Sequence, residues 1–91
     1  MFGMSDPNQT LAQMIRYFEE ERHEMVEVMA SEFTSMLLAN KQRDGATQTL
    51  LVKGVRILAE VLSIRGKSKL AIQATSVLLR ERKKLEKVLS Q

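Results

Sequence analysis

The first third of the chain carries apolar side chains at the spacing of an α-helix. They recur in steps of three or four residues, and neither glycine nor proline interrupts the sequence between Leu11 and Ala39. This pattern predicts a single helix over residues 10–39, with a heptad-like stripe of the kind that coiled coils bury. The stripe consists of Leu11, Ile15, Phe18, Arg22, Met25, Met29, Phe33 and Met36.

A polar segment precedes this helix. Residues 1–9 contain the only proline of the chain, and we expect them to form a flexible lead-in. Two residues are candidates for the N-cap of the helix. One is Asp6, which places Pro7 at the first helical position, and the other is Thr10.

A turn and a second helix come next. Asp44 and Gly45 are typical turn residues, and the apolar positions after them predict a helix over residues 46–64. Because its apolar face is broad, we expect this helix to be the most buried of the three. Gly54 costs about 1 kcal/mol relative to alanine in mid-helix, which indicates the close approach of another helix. The face is lined by Leu51, Val55, Leu58 and Leu62.

A third helix completes a predicted helical hairpin. Gly66 suits the left-handed position that ends the second helix, and Ser68 is a candidate N-cap for a helix over residues 68–89. We therefore expect one all-α domain at residues 10–91, an elongated three-helix bundle with a long first helix followed by the hairpin. A first helix of about 45 Å is too long for a compact fold of this size. Its unburied apolar stripe predicts a homodimer.

The composition agrees with an all-α fold and narrows the function. Hydrophobic residues make up 44% of the 91 residues and aromatic residues only 4%, which favours helices over strands. The chain has one histidine and no cysteine, so disulfides and thiolate chemistry are excluded. It also has no glycine-rich phosphate loop. We expect a protein without enzymatic activity, cofactor or small-molecule substrate.

Hydropathy along the chain bears on its location. The sequence contains no run of about 18 apolar residues, the length that a membrane span requires. Its opening residues lack the basic and apolar regions of a secretory signal. These features predict a cytoplasmic protein that does not bind a membrane.

Charge is divided unequally between the two halves of the chain. Residues 1–44 hold four basic and eight acidic residues, for a net charge of −4, and residues 45–91 hold ten basic and three acidic residues, for +7. The positive charge of the third helix predicts an alternative function, the binding of nucleic-acid phosphates. Three features argue against nucleic-acid binding. Two glutamates interrupt the basic cluster, no aromatic residue stands within the cluster, and its bases fall on several sides of the helix. The candidates are Lys67, Lys69, Arg80, Arg82, Lys83, Lys84 and Lys87.

Two weaker patterns concern a metal site and a DNA-binding motif. Glu20 and His23 have the Glu-x-x-His spacing by which helical bundles present metal ligands, but the charged segment around them is typical of a solvated acidic face. The segment from Leu62 to Ile72, with Gly66 in its turn, has the layout of a helix-turn-helix motif. Its second helix is mostly apolar where base-reading side chains would stand, so a plain helical hairpin is the better interpretation.

The sequence thus predicts two classes of function. The first is a non-enzymatic protein-protein interaction protein, such as an adaptor, chaperone or regulator, that forms a homodimer and binds a protein partner through the stripe of the first helix. The second is a nucleic-acid-binding regulatory protein that uses the basic C-terminal helix. Periodicity does not distinguish a seam within one chain from a seam between chains, so ordinary core packing of the stripe stays an alternative.

Overall fold

The computed structural model describes residues 6–90, which form four helices joined by short turns. The helices are α1 at Pro7–Glu19, α2 at His23–Ala39, α3 at Gly45–Ile64 and α4 at Ser68–Leu89, and no strand occurs among these residues. The predicted all-α class is therefore confirmed. The single helix predicted over residues 10–39 is wrong, because α1 and α2 occupy its place.

The start of α1 lies earlier than predicted. The carboxylate of Asp6 accepts a hydrogen bond from the backbone N–H of Asn8 at 3.0 Å, and Pro7 is the first helical residue. Proline suits that position because the first N–H groups of a helix have no intrahelical acceptor. The first of the two predicted caps is thus confirmed, and residues 7–9 of the predicted lead-in are helical. Its remainder, residues 1–5, lies outside the described residues.

A Schellman motif without glycine separates α1 from α2. The backbone N–H of Arg22 donates to the carbonyl of Tyr17, five residues earlier, at 2.9 Å, which is one of the two bonds that define the motif. Glu21, with a φ of 61°, donates the other to Phe18 at 3.0 Å and holds the left-handed position that glycine usually occupies. The guanidinium of Arg22 lies 5.4 Å from the centroid of the Tyr17 ring. Arg22 is therefore a turn residue, not a member of a continuous helical stripe.

The other two helix breaks fall where turns were predicted. The carboxylate of Asp44 caps α3 by accepting the backbone N–H of Thr47 at 2.8 Å. Gly66, with a φ of 75°, ends α3 in a second Schellman motif. The predicted cap at Ser68 is wrong: Ser68 is already the first helical residue, and Lys67, the last of the three residues between α3 and α4, is the N-cap.

α3 is the central helix of the fold. It contacts each of the other three helices, whereas α4 packs on α3 and on neither α1 nor α2. A Cβ atom at Gly54 would lie 2.6 Å from Cδ2 of Phe33, so the predicted close helix approach at this glycine is confirmed. The core lies where α1 and α2 meet α3. It contains Leu11, Met14, Met29, Ala30, Phe33, Leu37, Leu51 and Val55.

The described part of the chain is compact. Its radius of gyration is 12.8 Å and its longest dimension is 38 Å, close to the radius of about 12 Å expected for a compact chain of this length. The elongated three-helix bundle is therefore wrong in both the number of helices and the shape. Because α1 and α2 pack against each other, the length of the predicted first helix no longer requires a second chain. The homodimer stays a prediction.

The left-handed residue in the α1–α2 turn leads to a stability prediction. Glu21→Gly should raise the free energy of unfolding by about 1 kcal/mol, because glycine adopts this conformation without the steric cost of a Cβ. In a continuous helix the same change would lower it by about 1 kcal/mol. Urea denaturation followed by circular dichroism measures the difference. Glu21→Ala, which keeps the Cβ, is the matched control, and a less stable glycine variant would contradict the turn.

Candidate interaction site

The predicted apolar stripe is divided between the core and the surface. Three of its members are buried: Leu11, Met29 and Phe33. Three others are exposed: Ile15, Met25 and Met36. Phe18 is half-buried, with its ring against the His23 ring at a centroid distance of 5.7 Å, and Arg22 lies in the turn. The eight residues therefore do not form one surface.

An exposed apolar surface lies on α2. Met25, Val28 and Met36 expose 44%, 54% and 52% of their surface, and they lie within about 80° of one another around the helix axis, beside the buried side of α2. We call these three residues the α2 stripe. Single apolar residues on a protein surface are common, but three bulky ones along one helix make the α2 stripe a candidate contact surface.

Acidic side chains lie beside the α2 stripe. An open cavity of about 680 Å³ at the start of α2 is lined by Glu21, Arg22, His23, Glu24, Met25 and Val28. Glu32, which is also exposed, lies between Val28 and Met36 along the helix. The stripe therefore offers a partner apolar contacts beside negative charge.

α4 carries four exposed basic residues on one side, three of them in its second half. Lys69, Arg80, Lys83 and Lys87 are exposed and lie within about 60° of one another around the helix axis, at 100° per residue. They span about 27 Å of the helix, and neither Glu81 nor Glu86 falls on this side. We call these four basic residues the basic face. The other predicted bases do lie on other sides, as expected, so only these four share one side.

The other three predicted nucleic-acid residues lie elsewhere. Lys67 donates to a carboxylate oxygen of Glu27 at 2.8 Å. Lys84 donates to Glu81 at 3.3 Å. Arg82 is exposed on a different side of α4. Two of these three bases thus neutralise acids of the same chain.

A buried carboxylate links α4 to the rest of the molecule. Glu81 is completely buried, and its Oε1 atom accepts hydrogen bonds from Nη2 of Arg43 and Nε2 of Gln48, both at 3.0 Å. Its Oε2 atom accepts from Nε of Arg80 at 3.0 Å and Nζ of Lys84 at 3.3 Å. Burial of a carboxylate costs several kcal/mol unless such partners compensate it. Both carboxylate oxygens of Glu81 have such hydrogen-bond partners.

Arg43 joins this cluster to the end of α2. Its Nη1 atom donates to the carbonyls of Leu37 at 2.9 Å and Asn40 at 2.8 Å, where the end of the helix leaves acceptors without intrahelical partners. Its Nε atom donates to Oε1 of Gln48 at 2.7 Å. One guanidinium therefore connects the end of α2, the first turn of α3 and, through Glu81, the middle of α4.

The ionised form of Glu81 is favoured. Burial raises the pKa of this carboxyl, but hydrogen bonds from Gln48, Arg80 and Lys84 outweigh burial and hold the pKa below its ordinary value of 4.5. Folding therefore stabilises the carboxylate over the carboxylic acid.

A second carboxylate links α2 to the α3–α4 turn. Glu27 accepts from Lys67 at 2.8 Å and from Arg65 at 2.7 Å. The hydrogen bond from Lys67 is the main reason that the pKa of Glu27 lies below its ordinary value of 4.5, with partial burial opposing it and the charge of Arg65 adding to it. The two carboxylates hold the hairpin to the α2 side of the fold at separate points.

Glu20 and His23 do not share a helix. Glu20 lies in the α1–α2 turn, with its carboxylate 3.2 Å from Nε of Arg22 and 3.6 Å from Nε of Arg16, and His23 is the first residue of α2. The helical spacing that the metal motif requires is lost at this turn. Over residues 6–90, no group of three or more acidic or histidine side chains is arranged to hold a metal ion.

Comparisons with protein-family models, with curated proteins and with solved structures find no match to this chain. None of the four helices has both the length and the apolar character needed to cross a membrane.

The buried carboxylate leads to a prediction on stability and pH. Glu81→Gln should lower the free energy of unfolding at neutral pH by about 3 kcal/mol, because it leaves the charge of Arg43 buried without its partner. Since folding lowers the pKa of Glu81 from its ordinary value of 4.5, its contribution is complete only well above that value and is lost as the pH falls through the lower folded value.

Urea denaturation across the acid range tests this prediction. The wild-type protein should lose stability below about pH 5, and Glu81→Gln should lose less over the same range. Glu60→Gln is the control: Glu60 pairs with Arg56 at 3.5 Å on the surface, where such pairs contribute under about 1 kcal/mol. Equal effects of the two substitutions would show that the buried cluster has no special role.

Proposed function

We propose that the chain is a non-enzymatic protein-protein interaction protein, an adaptor, chaperone or regulator that acts in the cytoplasm as a helical homodimer. The observation that carries this proposal is the α2 stripe, in which Met25, Val28 and Met36 are exposed on one helix face beside acidic residues. Methionine is unbranched and polarisable, so a surface rich in it adapts to the shape of a partner. These properties suit binding.

A second copy of the chain offers a complementary surface on α4. Ile72 and Leu79 are 67% and 54% exposed and lie seven residues apart on one side of this helix, next to Lys83. On α2, the acidic Glu32 lies between Val28 and Met36 of the α2 stripe, as the basic Lys83 lies beside Leu79 on α4. Packing α2 of one copy on α4 of the other covers apolar side chains on both and brings opposite charges together. The reciprocal contact completes a two-fold dimer.

The dimer proposal predicts different effects of lysine at the exposed and the buried methionines of α2. Replacing Met25 and Met36 together with lysine should abolish self-association and leave the helix content intact, because both side chains are exposed. Met29→Lys should unfold the protein, since Met29 is only 6% exposed and a buried lysine would have no partner. Sedimentation velocity gives the mass and circular dichroism the helix content. A doubly substituted protein with the wild-type mass would refute this interface.

A specific observation favours nucleic-acid binding as the second candidate function. The basic face places Lys69, Arg80, Lys83 and Lys87 on one open side of α4, without an acidic residue between them. Such a row of cations suits the phosphates of a nucleic-acid backbone, and it binds them without reading the base sequence. The absence of an aromatic residue on this face argues against base stacking as a contribution.

A pair of matched double variants tests the basic face. Lys83→Gln with Lys87→Gln should weaken binding to a labelled DNA duplex and lower the salt dependence of log K by about two, because each lost phosphate contact contributes about 0.9. Lys53→Gln with Arg56→Gln removes the same charge from the exposed side of α3 and should change little. Fluorescence anisotropy between about 50 and 200 mM salt measures both. Equal losses would mean that overall charge, not the basic face, attracts DNA.

A further inference from the structure

A cavity lies between the α2–α3 loop and the second half of α4. Its volume is about 510 Å³, and it is lined by Leu38, Lys41, Arg43, Arg80, Glu81 and Lys84. Four of these side chains are cationic and one is anionic. The loop contributes two of the cations, and α4 contributes the other two and the carboxylate. Two segments distant in sequence thus bring like charges together around one space.

The positive charge that lines this cavity exceeds the single negative charge of Glu81. Arg43, with only 10% of its side chain exposed, already forms an ion pair with Glu81 at 3.0 Å. Arg80 and Lys84 bind the same carboxylate, yet 57% and 54% of their side chains remain exposed. With Lys41 included, the lining has a net charge of +3. Repulsion among these cations is relieved by binding an anion.

Glu81 holds two of the cations in defined positions. The carboxylate is itself fixed, because Gln48 donates to both its Oε1 atom and the backbone carbonyl of Glu81, at 3.0 and 2.9 Å. Its Oε2 atom then binds Nε of Arg80 and Nζ of Lys84. Among residues 6–90, no acceptor forms a hydrogen bond with Nη1 or Nη2 of Arg80. An anion that binds here meets side chains whose freedom is already reduced, which lowers the entropic cost of binding.

We propose that this cavity binds a phosphate group, with Lys41, Arg80 and Lys84 as its ligands and Glu81 as the residue that positions two of them. The planar guanidinium of Arg80 retains donors for two phosphate oxygens, and the two ammonium groups add point charges. This site does not depend on the α2 stripe. It deepens the second candidate function, because Arg80 also belongs to the basic face and a backbone following α4 would place one phosphate in the cavity.

The phosphate group has two sources, a nucleic-acid backbone or a free phosphorylated compound. Titration of isotope-labelled protein with inorganic phosphate, at constant ionic strength in chloride, tests the shared chemistry by NMR. We expect saturable shifts at Lys41, Arg80 and Lys84. Lys41→Gln and Lys84→Gln should each weaken phosphate binding about tenfold, the effect of losing one charged hydrogen bond. Lys53→Gln, outside the cavity, is the control, and thermal denaturation verifies that each variant is folded.

Two further probes distinguish the sources. If single-stranded oligothymidylate binds and the two cavity variants weaken it, the site holds a backbone phosphate. If a nucleoside monophosphate binds there and oligothymidylate and duplex DNA do not, the site holds a free phosphorylated compound, and nucleic-acid binding fails without the cavity. Shifts that do not saturate with phosphate, or equal losses in Lys53→Gln and the cavity variants, would overturn the proposal.

Discussion

The break in the chain at Glu20–Arg22 determines how the apolar residues of the first two helices are shared between core and surface. A continuous helix over residues 7–39 would be about 50 Å long, more than the longest dimension of the described fold, 38 Å. A left-handed glutamate costs about 1–2 kcal/mol. Burial of one large apolar side chain contributes about 1.5–3 kcal/mol. Because the break allows both Met14 and Phe33 into one core, packing outweighs the local strain.

The same break leaves part of the apolar surface without a partner. Met29 and Phe33 are buried in the core, whereas Met25, Val28 and Met36, on the neighbouring side of α2, remain exposed. The outer face of α4 is also uncovered, because this helix packs on α3 alone and is connected to the α2 side only by ionic contacts. Two helices with open outer faces of opposite charge are the structural basis of the proposed self-association.

Local sequence signals predicted the elements whose ends they fix. Asp6, Asp44 and Gly66 mark helix ends through their own side chains or, for glycine, through its lack of one. The break at Glu21 has no such signal, because glutamate is disfavoured in the left-handed conformation and only the packing of distant residues compensates for it. Periodicity alone therefore could not predict the length of the first helix or, with it, the overall shape.

The charged cluster shows the same limit. Arg43 and Glu81 are separated by 38 positions, and no local pattern connects a loop arginine with a helix carboxylate. One signal existed: Glu81 occupies an apolar position in the periodicity of α4, between Leu78 and Leu85. A charge at such a position must find a partner when it is buried. The basic face was hidden for a different reason, because its four bases had to be distinguished from Lys67, Arg82 and Lys84, which lie elsewhere.

The contact between α2 of one copy and α4 of the other is the central claim, and intermolecular paramagnetic relaxation tests it most directly. The chain has no cysteine, so Ser35→Cys on the exposed side of α2 accepts a single spin label. Spin-labelled protein is mixed with isotope-labelled protein that carries no spin label. The proposed dimer predicts broadening of signals around Ile72 and Leu79 in the second population. Broadening confined to α2, or none at concentrations where the protein is dimeric, would contradict it.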